Sequence, residues 1–198
     1  MNKIKEILIG TNNKGKYEEI CNLLPNRLRK YSPKEFNIPT PKETGKSFEE
    51  NSFIKASYFS KKINLICLSD DSGLEIDLLK GKPGIYSSRW SGKKNNFDLG
   101  IKRIFKEMNN IKKDWRNHSA ARFVCYLTLF WPGGKSYSTK GIVNGKISTI
   151  KKGKNGFGYD PIFIADGYNQ TFGEMKPILK MSIDHRFKAF LKIKKFFI

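Results

Sequence analysis

The run from Ala121 to Trp131, Ala-Arg-Phe-Val-Cys-Tyr-Leu-Thr-Leu-Phe-Trp, is apolar on both faces of an extended chain. A strand of that kind has no side that tolerates water, so it must sit inside a sheet with packed layers above and below it. The N-terminal segment points the same way. Glu6 to Gly10 reads as a strand and Gly10 to Lys16 as a polar turn. Tyr17, Ile20, Cys21 and Leu24 then recur at helical spacing until Pro25 stops the helix. Strand, glycine-bearing turn and helix open an α/β fold.

Further elements follow. Ser32 to Gly45, rich in Pro, Lys and Thr, reads as a loop. Ser47 and Glu50 form an S-x-x-E capping box for a helix whose inner face is Phe53, Ala56, Ser60 and Ile63. Leu65 to Leu68 reads as a buried strand ending in Ser69, Asp70 and Asp71, and the alternation of Leu74, Ile76 and Leu78 as another strand. Ile101, Ile104, Phe105 and Met108 mark a helix. Pro132 to Gly134 turn the chain, Ser136 to Val143 returns as a strand, and Ile162 to Ile164 is strand-like. The chain ends in a helix with Ile183, Phe187, Phe190, Leu191 and Phe197 on one face, and Ser182 is a candidate cap.

With 198 residues and 38% hydrophobic content, the chain suits one domain over 1–198, with room for two lobes. The net charge of +20 invites an anionic partner, but most of it reads as lysines on a solvated surface. No sequence-reading motif with interleaved aromatics supports nucleic acid. The three cysteines are widely spaced, without a C-x-x-C pair, which suits a reducing compartment and gives no zinc signal. No stretch approaches a membrane span, and the expected location is the cytoplasm.

Four segments carry possible chemistry. Gly10-Thr11-Asn12-Asn13-Lys14-Gly15-Lys16 joins a strand to a helix, where backbone N–H groups receive phosphate well. It satisfies most of a P-loop pattern, but Tyr17 stands where that loop needs Ser or Thr for Mg²⁺. On this segment alone, a phosphate turn and an ordinary polar turn are equally good readings. Asp70 and Asp71 at a strand end, before Ser72 and Gly73, suit an oxygen-ligated hard metal better than zinc, because the chain has only two histidines. The glycine-rich Gly153 to Tyr159 could bring backbone and Phe157 against a flat ligand. His185 and Arg186 offer donors in the first turn of the last helix.

Taken in order, these pieces resemble the inosine/xanthosine triphosphate pyrophosphatases, the Ham1 family. Thr11, Asn13, Lys16 and Glu19 match a T-x-N-x-x-K-x-x-E turn. Glu43-Thr44-Gly45, Phe48 to Asn51 and Lys55-Ala56 resemble a second block. Ser69 to Leu74, Pro83 to Arg89 and Gly156-Phe157-Gly158-Tyr159-Asp160-Pro161 supply the rest. Asp184 stands where the family usually has Ser before His-Arg, and Met181 where it has Asn. Those departures bear on base preference rather than on the reaction.

The resemblance implies an elongated mixed α/β sheet flanked by helices, with two lobes around a substrate cleft, usually as a homodimer. It implies hydrolysis of ITP, dITP and XTP to a monophosphate and pyrophosphate, cleansing the nucleotide pool. Glu43 and Asp71 would hold Mg²⁺, with Mn²⁺ as the alternative, and Asp71 would orient or deprotonate the attacking water, with Asp70 as the second choice. Thr11, Asn12, Asn13, Lys14, Gly15, Lys16, Lys55, Ser72 and Arg89 would bind the phosphate end. Phe157, Gly158, Tyr159, Asp160, Lys180, His185 and Arg186 would frame the purine. Two other enzymes compete with this reading. A P-loop NTPase would release orthophosphate, and a Maf-type pyrophosphatase would prefer pyrimidine or modified nucleotides.

Overall fold

The computed structural model describes residues 4–92 and 96–198. Its strands are β1 (Glu6–Ile9), β2 (Arg29–Tyr31), β3 (Cys67–Ile76), β4 (Ala120–Phe130), β5 (Ser136–Ile147) and β6 (Phe163–Ala165). Its helices are α1 (Lys14–Leu23), α2 (Phe48–Ile63), α3 (Ser87–Trp90), α4 (Phe97–Ile111), α5 (Pro177–Ile183) and α6 (His185–Ile193). The strands form one six-stranded sheet in the order β2-β1-β3-β4-β5-β6. It is mixed: β1 runs parallel to β2 and β3, whereas β5 and β6 are antiparallel. The doubly apolar β4 is interior in that order, as its sequence requires.

The chain divides into two compact units. The first takes the N-terminal part through Asp71, with Cys125–Gly141 and Arg186–Ile198. Its core joins Ile7, Ile9 and Leu68 of the strands to Ile20 of α1 and to Ala189, Phe190 and Ile193 of α6. A smaller cluster of Leu8, Phe59 and Cys67 covers the opposite side with α2. The second unit comprises Ser72–Val124 and Ile142–His185. Its core includes Ile101, Ile104 and Met108 of α4, Phe123 of β4 and Phe163 of β6.

The structure changes several local readings. The two strands expected around Asp70 and Asp71 are one continuous β3. Charged residues can stay in the ladder because each carboxylate has a buried cationic partner, as described below. The α2 helix starts where expected, with Ser47 Oγ accepting the Glu50 N–H at 3.1 Å. The Glu50 carboxylate, however, takes the Lys46 N–H rather than that of Ser47. Its inner face is also rotated from the expected one. Ser52, Lys55, Ala56, Phe59 and Ser60 are buried, and Phe53 is exposed at the rim, edge-on to Phe130.

At the C-terminus, one expected helix is two. Ser182 lies inside α5, its hydroxyl donating to the Leu179 carbonyl. Asp184, in extended conformation (φ −73°, ψ 171°), breaks the helix immediately before α6. Asp shares with Ser a strong preference for the position before a helix. Leu191, expected on the inner face, is exposed, while Phe190 and Phe197 turn inward.

Burial pushes the Cys67 thiol up to about 12. A thiol reacts as its thiolate, so Cys67 should resist alkylation of the folded protein at about pH 8, and half-buried Cys21 should react before it. Mass spectrometry of the alkylated native protein checks this, and early labelling of Cys67 would contradict it.

Candidate functional site

In the first unit the site begins at the β1–α1 turn. Gly10 has no room for a side chain: a Cβ there would lie 2.0 Å from Ser69 Oγ, which donates to the Gly10 carbonyl at 2.8 Å. This close approach locks β1 against β3. Thr11 Oγ1 accepts the Asn13 N–H, and Asn13 Oδ1 caps α1 by accepting the Lys16 N–H at 3.1 Å. Asn12 donates to Thr40 Oγ1. Gly15 lies in the first turn of α1, and Lys14 projects into solvent, 3.8 Å from Glu18.

Side chains alternate along a strand. On β3, Leu68 and Asp70 therefore face the side covered by α1 and α6, while Cys67, Ser69 and Asp71 face α2. Asp70 is fully buried, with Oδ2 at 3.1 Å from both Lys16 Nζ and Arg186 Nη2. Arg186 also pairs with Glu19 of α1. Asp71 Oδ1 accepts from Lys55 Nζ at 2.9 Å, and the same ammonium donates to Glu43 Oε1 at 2.6 Å. Asp71 Oδ2 is buried without a hydrogen-bond partner.

These surroundings push the adjacent carboxyls in opposite directions. Burial alone would raise Asp70, but Lys16, Arg186 and Lys55 outweigh it and hold its carboxyl well below the usual range. For Asp71 burial wins over the pull of Lys55 and Lys16, and its carboxyl is raised. Burial also opposes ionisation of Glu43, but Lys55 outweighs it and lowers that carboxyl. Two carboxyls separated in this way divide into a fixed anion and a proton acceptor. Asp70 is the fixed anion, so Asp71 is the stronger candidate for the base.

Glu43 and Asp71 are thus brought together, joined through Lys55. No cluster of three His, Cys, Asp or Glu that could hold a metal occurs among the described residues. Two carboxylates still suit Mg²⁺, which commonly takes one or two of them and completes its shell with phosphate oxygens and water. The unpartnered Asp71 Oδ2 fits that use.

The second unit holds another cluster. Gly156 has φ 70°, and a Cβ there would lie 2.0 Å from Asp160 Oδ2. That same oxygen accepts the Phe157 N–H at 2.9 Å and the Lys180 ammonium at 2.8 Å. Lys180 Nζ stands 5.2 Å from the Phe157 ring centroid. One buried ion pair thereby fixes a half-exposed aromatic ring, with Gly158 (φ 69°) as the next bend.

Tyr159 is turned inward. Its hydroxyl donates to the Ser87 carbonyl at 2.9 Å and its ring meets Phe97 edge-on. A Cβ at Gly100 would lie 2.7 Å from that hydroxyl. Gly100→Ala should cost about 1–3 kcal/mol by overpacking, measured by urea unfolding, and an unchanged midpoint would contradict the role given to the contact. His185 is buried and stacks on Phe123, with centroids 4.8 Å apart. Ser72 is half-buried, and Arg89 is exposed with its guanidinium 5.0 Å over Tyr86.

One residue takes a position other than the one read from the sequence. Arg186, expected at the purine edge, is 1% exposed and engaged with Asp70 and Glu19. Glu19 emerges as a partner of the arginine. Its sequence signals are its place at the end of the T-x-N-x-x-K-x-x-E turn and the three-residue spacing from Lys16, which puts both on one face of α1.

Burying Lys55, Lys180 and Arg186 among carboxylates is costly. The chain belongs to the Ham1 family, whose model matches residues 7–196. It is 39% identical over 188 residues to a dITP/XTP pyrophosphatase of Rhodospirillum centenum, covering 94% of this chain and 92% of that protein. The dITP/XTP pyrophosphatase of Bacillus licheniformis is 39% identical, with 96% of each chain covered. Among solved structures, a HAM1 protein from Coxiella burnetii matches with a TM-score of 0.86 at 33% identity, covering 97% of this chain and 98% of that one.

Proposed function

We propose that this chain hydrolyses inosine- and xanthosine-type triphosphates (ITP, dITP and XTP) to the monophosphate and pyrophosphate. The observation that carries the reading is the split pair on β3, a fixed Asp70 beside a raised Asp71 with an unpartnered oxygen, in a chain similar throughout to dITP/XTP pyrophosphatases. The phosphate end binds at the capped turn from Thr11 to Lys16, with Lys55 and Arg89. Lys16 and Lys55 stabilise charge developing on the pyrophosphate leaving group. Asp71 accepts the proton of the water that attacks the α-phosphorus. Glu43 and Asp71 would hold Mg²⁺ or Mn²⁺, which when bound neutralises triphosphate charge.

The base stacks on Phe157. Lys180 and His185 offer donors to a 6-keto oxygen, and the 6-amino group of adenine would leave them unpaired, at about 1–3 kcal/mol for each buried unsatisfied group. A homodimer in the cytoplasm belongs to the same proposal. No helix among the described residues is long and apolar enough to cross a membrane.

Initial rates on ITP, XTP, dITP and ATP with Mg²⁺ test the substrate class. ITP and XTP should lead ATP by at least about tenfold, and equal rates on ATP would contradict the base assignment. Phe157→Ala should raise KM several-fold with kcat little changed. A fall in kcat at constant KM would count against stacking.

A further inference from the structure

Two stretches of the first unit, Cys125–Gly141 and Arg186–Ile198, carry positive charge that no acidic residue within them offsets. The former holds two lysines, the latter five basic residues, and neither contains an Asp or Glu. Apart from buried Arg186, these basic residues are exposed. Arg186–Ile198 already interleaves basic and aromatic residues in sequence. The fold adds Trp131 and Tyr137 of the other stretch to them.

Trp131 and Tyr137 flank the β4–β5 turn, and Phe196 comes from the helical turn Lys194–Phe196. The Phe196 ring lies 5.5 Å from Trp131 and 5.2 Å from Tyr137, edge-on to both. Lys135 Nζ stands 5.7 Å from the Trp131 ring, and Lys195 Nζ 5.3 Å from Tyr137 and 5.5 Å from Phe196. Two bonds pin the tail in place: Lys192 donates to the Lys140 carbonyl, and Arg27 to that of Phe197. The platform is therefore preorganised, and Tyr137 is 38% exposed on it.

We propose that this platform binds single-stranded nucleic acid without sequence preference. Aromatic rings offer stacking faces to bases, and ammonium groups beside them suit the phosphates between those bases. A lipid surface fits less well. Its anchors must project into the bilayer, whereas these rings pack edge-on against one another. The platform uses no residue assigned to triphosphate hydrolysis, so the two activities are separable.

The test is fluorescence anisotropy of a labelled oligo-dT and an oligo-U strand of about twenty nucleotides, at about 50 and 200 mM NaCl. Wild-type protein should bind both strands, several-fold to tenfold more weakly at the higher salt. Lys135→Glu/Lys195→Glu should weaken binding at least about tenfold, and Tyr137→Ala about fivefold. ITP turnover should be unchanged in both variants. Lys106→Glu/Lys113→Glu, with the same charge change in the other unit, should bind like wild type. Equal loss in that control would overturn the proposal, as would absence of binding at the lower salt. So would binding confined to phosphatidylserine vesicles and abolished by the Lys135/Lys195 variant, which would make the surface a lipid contact.

Discussion

Asp71→Asn is expected to lower kcat on ITP about a thousand-fold, the range for removing a positioned general base. KM should move by no more than a few-fold. The size follows from the surroundings of this carboxyl. It is buried, burial raises its pKa, and only one of its oxygens is occupied by Lys55. Asn keeps the shape and one acceptor, and Lys55 keeps Glu43 at 2.6 Å, so the fold should survive. Thermal unfolding with and without ITP distinguishes lost chemistry from lost structure. A folded variant that retains wild-type turnover would remove Asp71 from its role.

Asp70→Asn is expected to act on stability instead. Removing one member of a buried ion pair leaves the others uncompensated and typically costs about 3–5 kcal/mol. Here the group left behind is Arg186, 1% exposed, with Glu19 as its remaining carboxylate, together with Lys16. The pH dependence gives a second signature. Asp70 is held below its unfolded value of about 3.9, so its stabilisation is complete above about pH 5 and is lost as pH falls toward the folded value. Urea unfolding between about pH 3 and 7 should therefore show a steeper acid loss in the wild type than in the variant. Parallel curves, or a cost below about 1 kcal/mol, would mean that Asp70 is not the anchor of this network.

The opposed behaviour of these neighbours explains why parts of the molecule were legible in the sequence and others were not. Apolar periodicity located β1, α1, α4 and β4, because the inward faces of those elements are hydrophobic. It failed where the inward face carries charge. The acidic pair looked like the end of a strand, yet β3 runs through it, because Lys16, Arg186 and Lys55 lie elsewhere in the chain and only folding brings them to Asp70 and Asp71. The same blindness rotated α2: a pattern search prefers Phe53, while the buried positions include Ser52 and Lys55.

The loop from Gly156 to Asp160 was recognisable as a string of residue types. Its construction was not. Gly156 is required by an Asp160 oxygen that must also reach the Phe157 N–H and Lys180. Arg186 shows the limit from the other side. Adjacency to His185 suggested a shared role, but successive helix residues point about 100° apart. One stacks on Phe123 and the other reaches Asp70 and Glu19.

Attack of water on the α-phosphorus of an inosine-type triphosphate is the step on which every assigned role depends. Hydrolysis of ITP in H₂¹⁸O with Mg²⁺, followed by mass spectrometry of the products, locates the attacked phosphorus. One ¹⁸O is expected in the monophosphate, with unlabelled pyrophosphate and no orthophosphate. Label in pyrophosphate would place the attack on the β-phosphorus, and labelled orthophosphate with a nucleoside diphosphate would place it on the γ-phosphorus. Either result would contradict the mechanism assigned to Asp71.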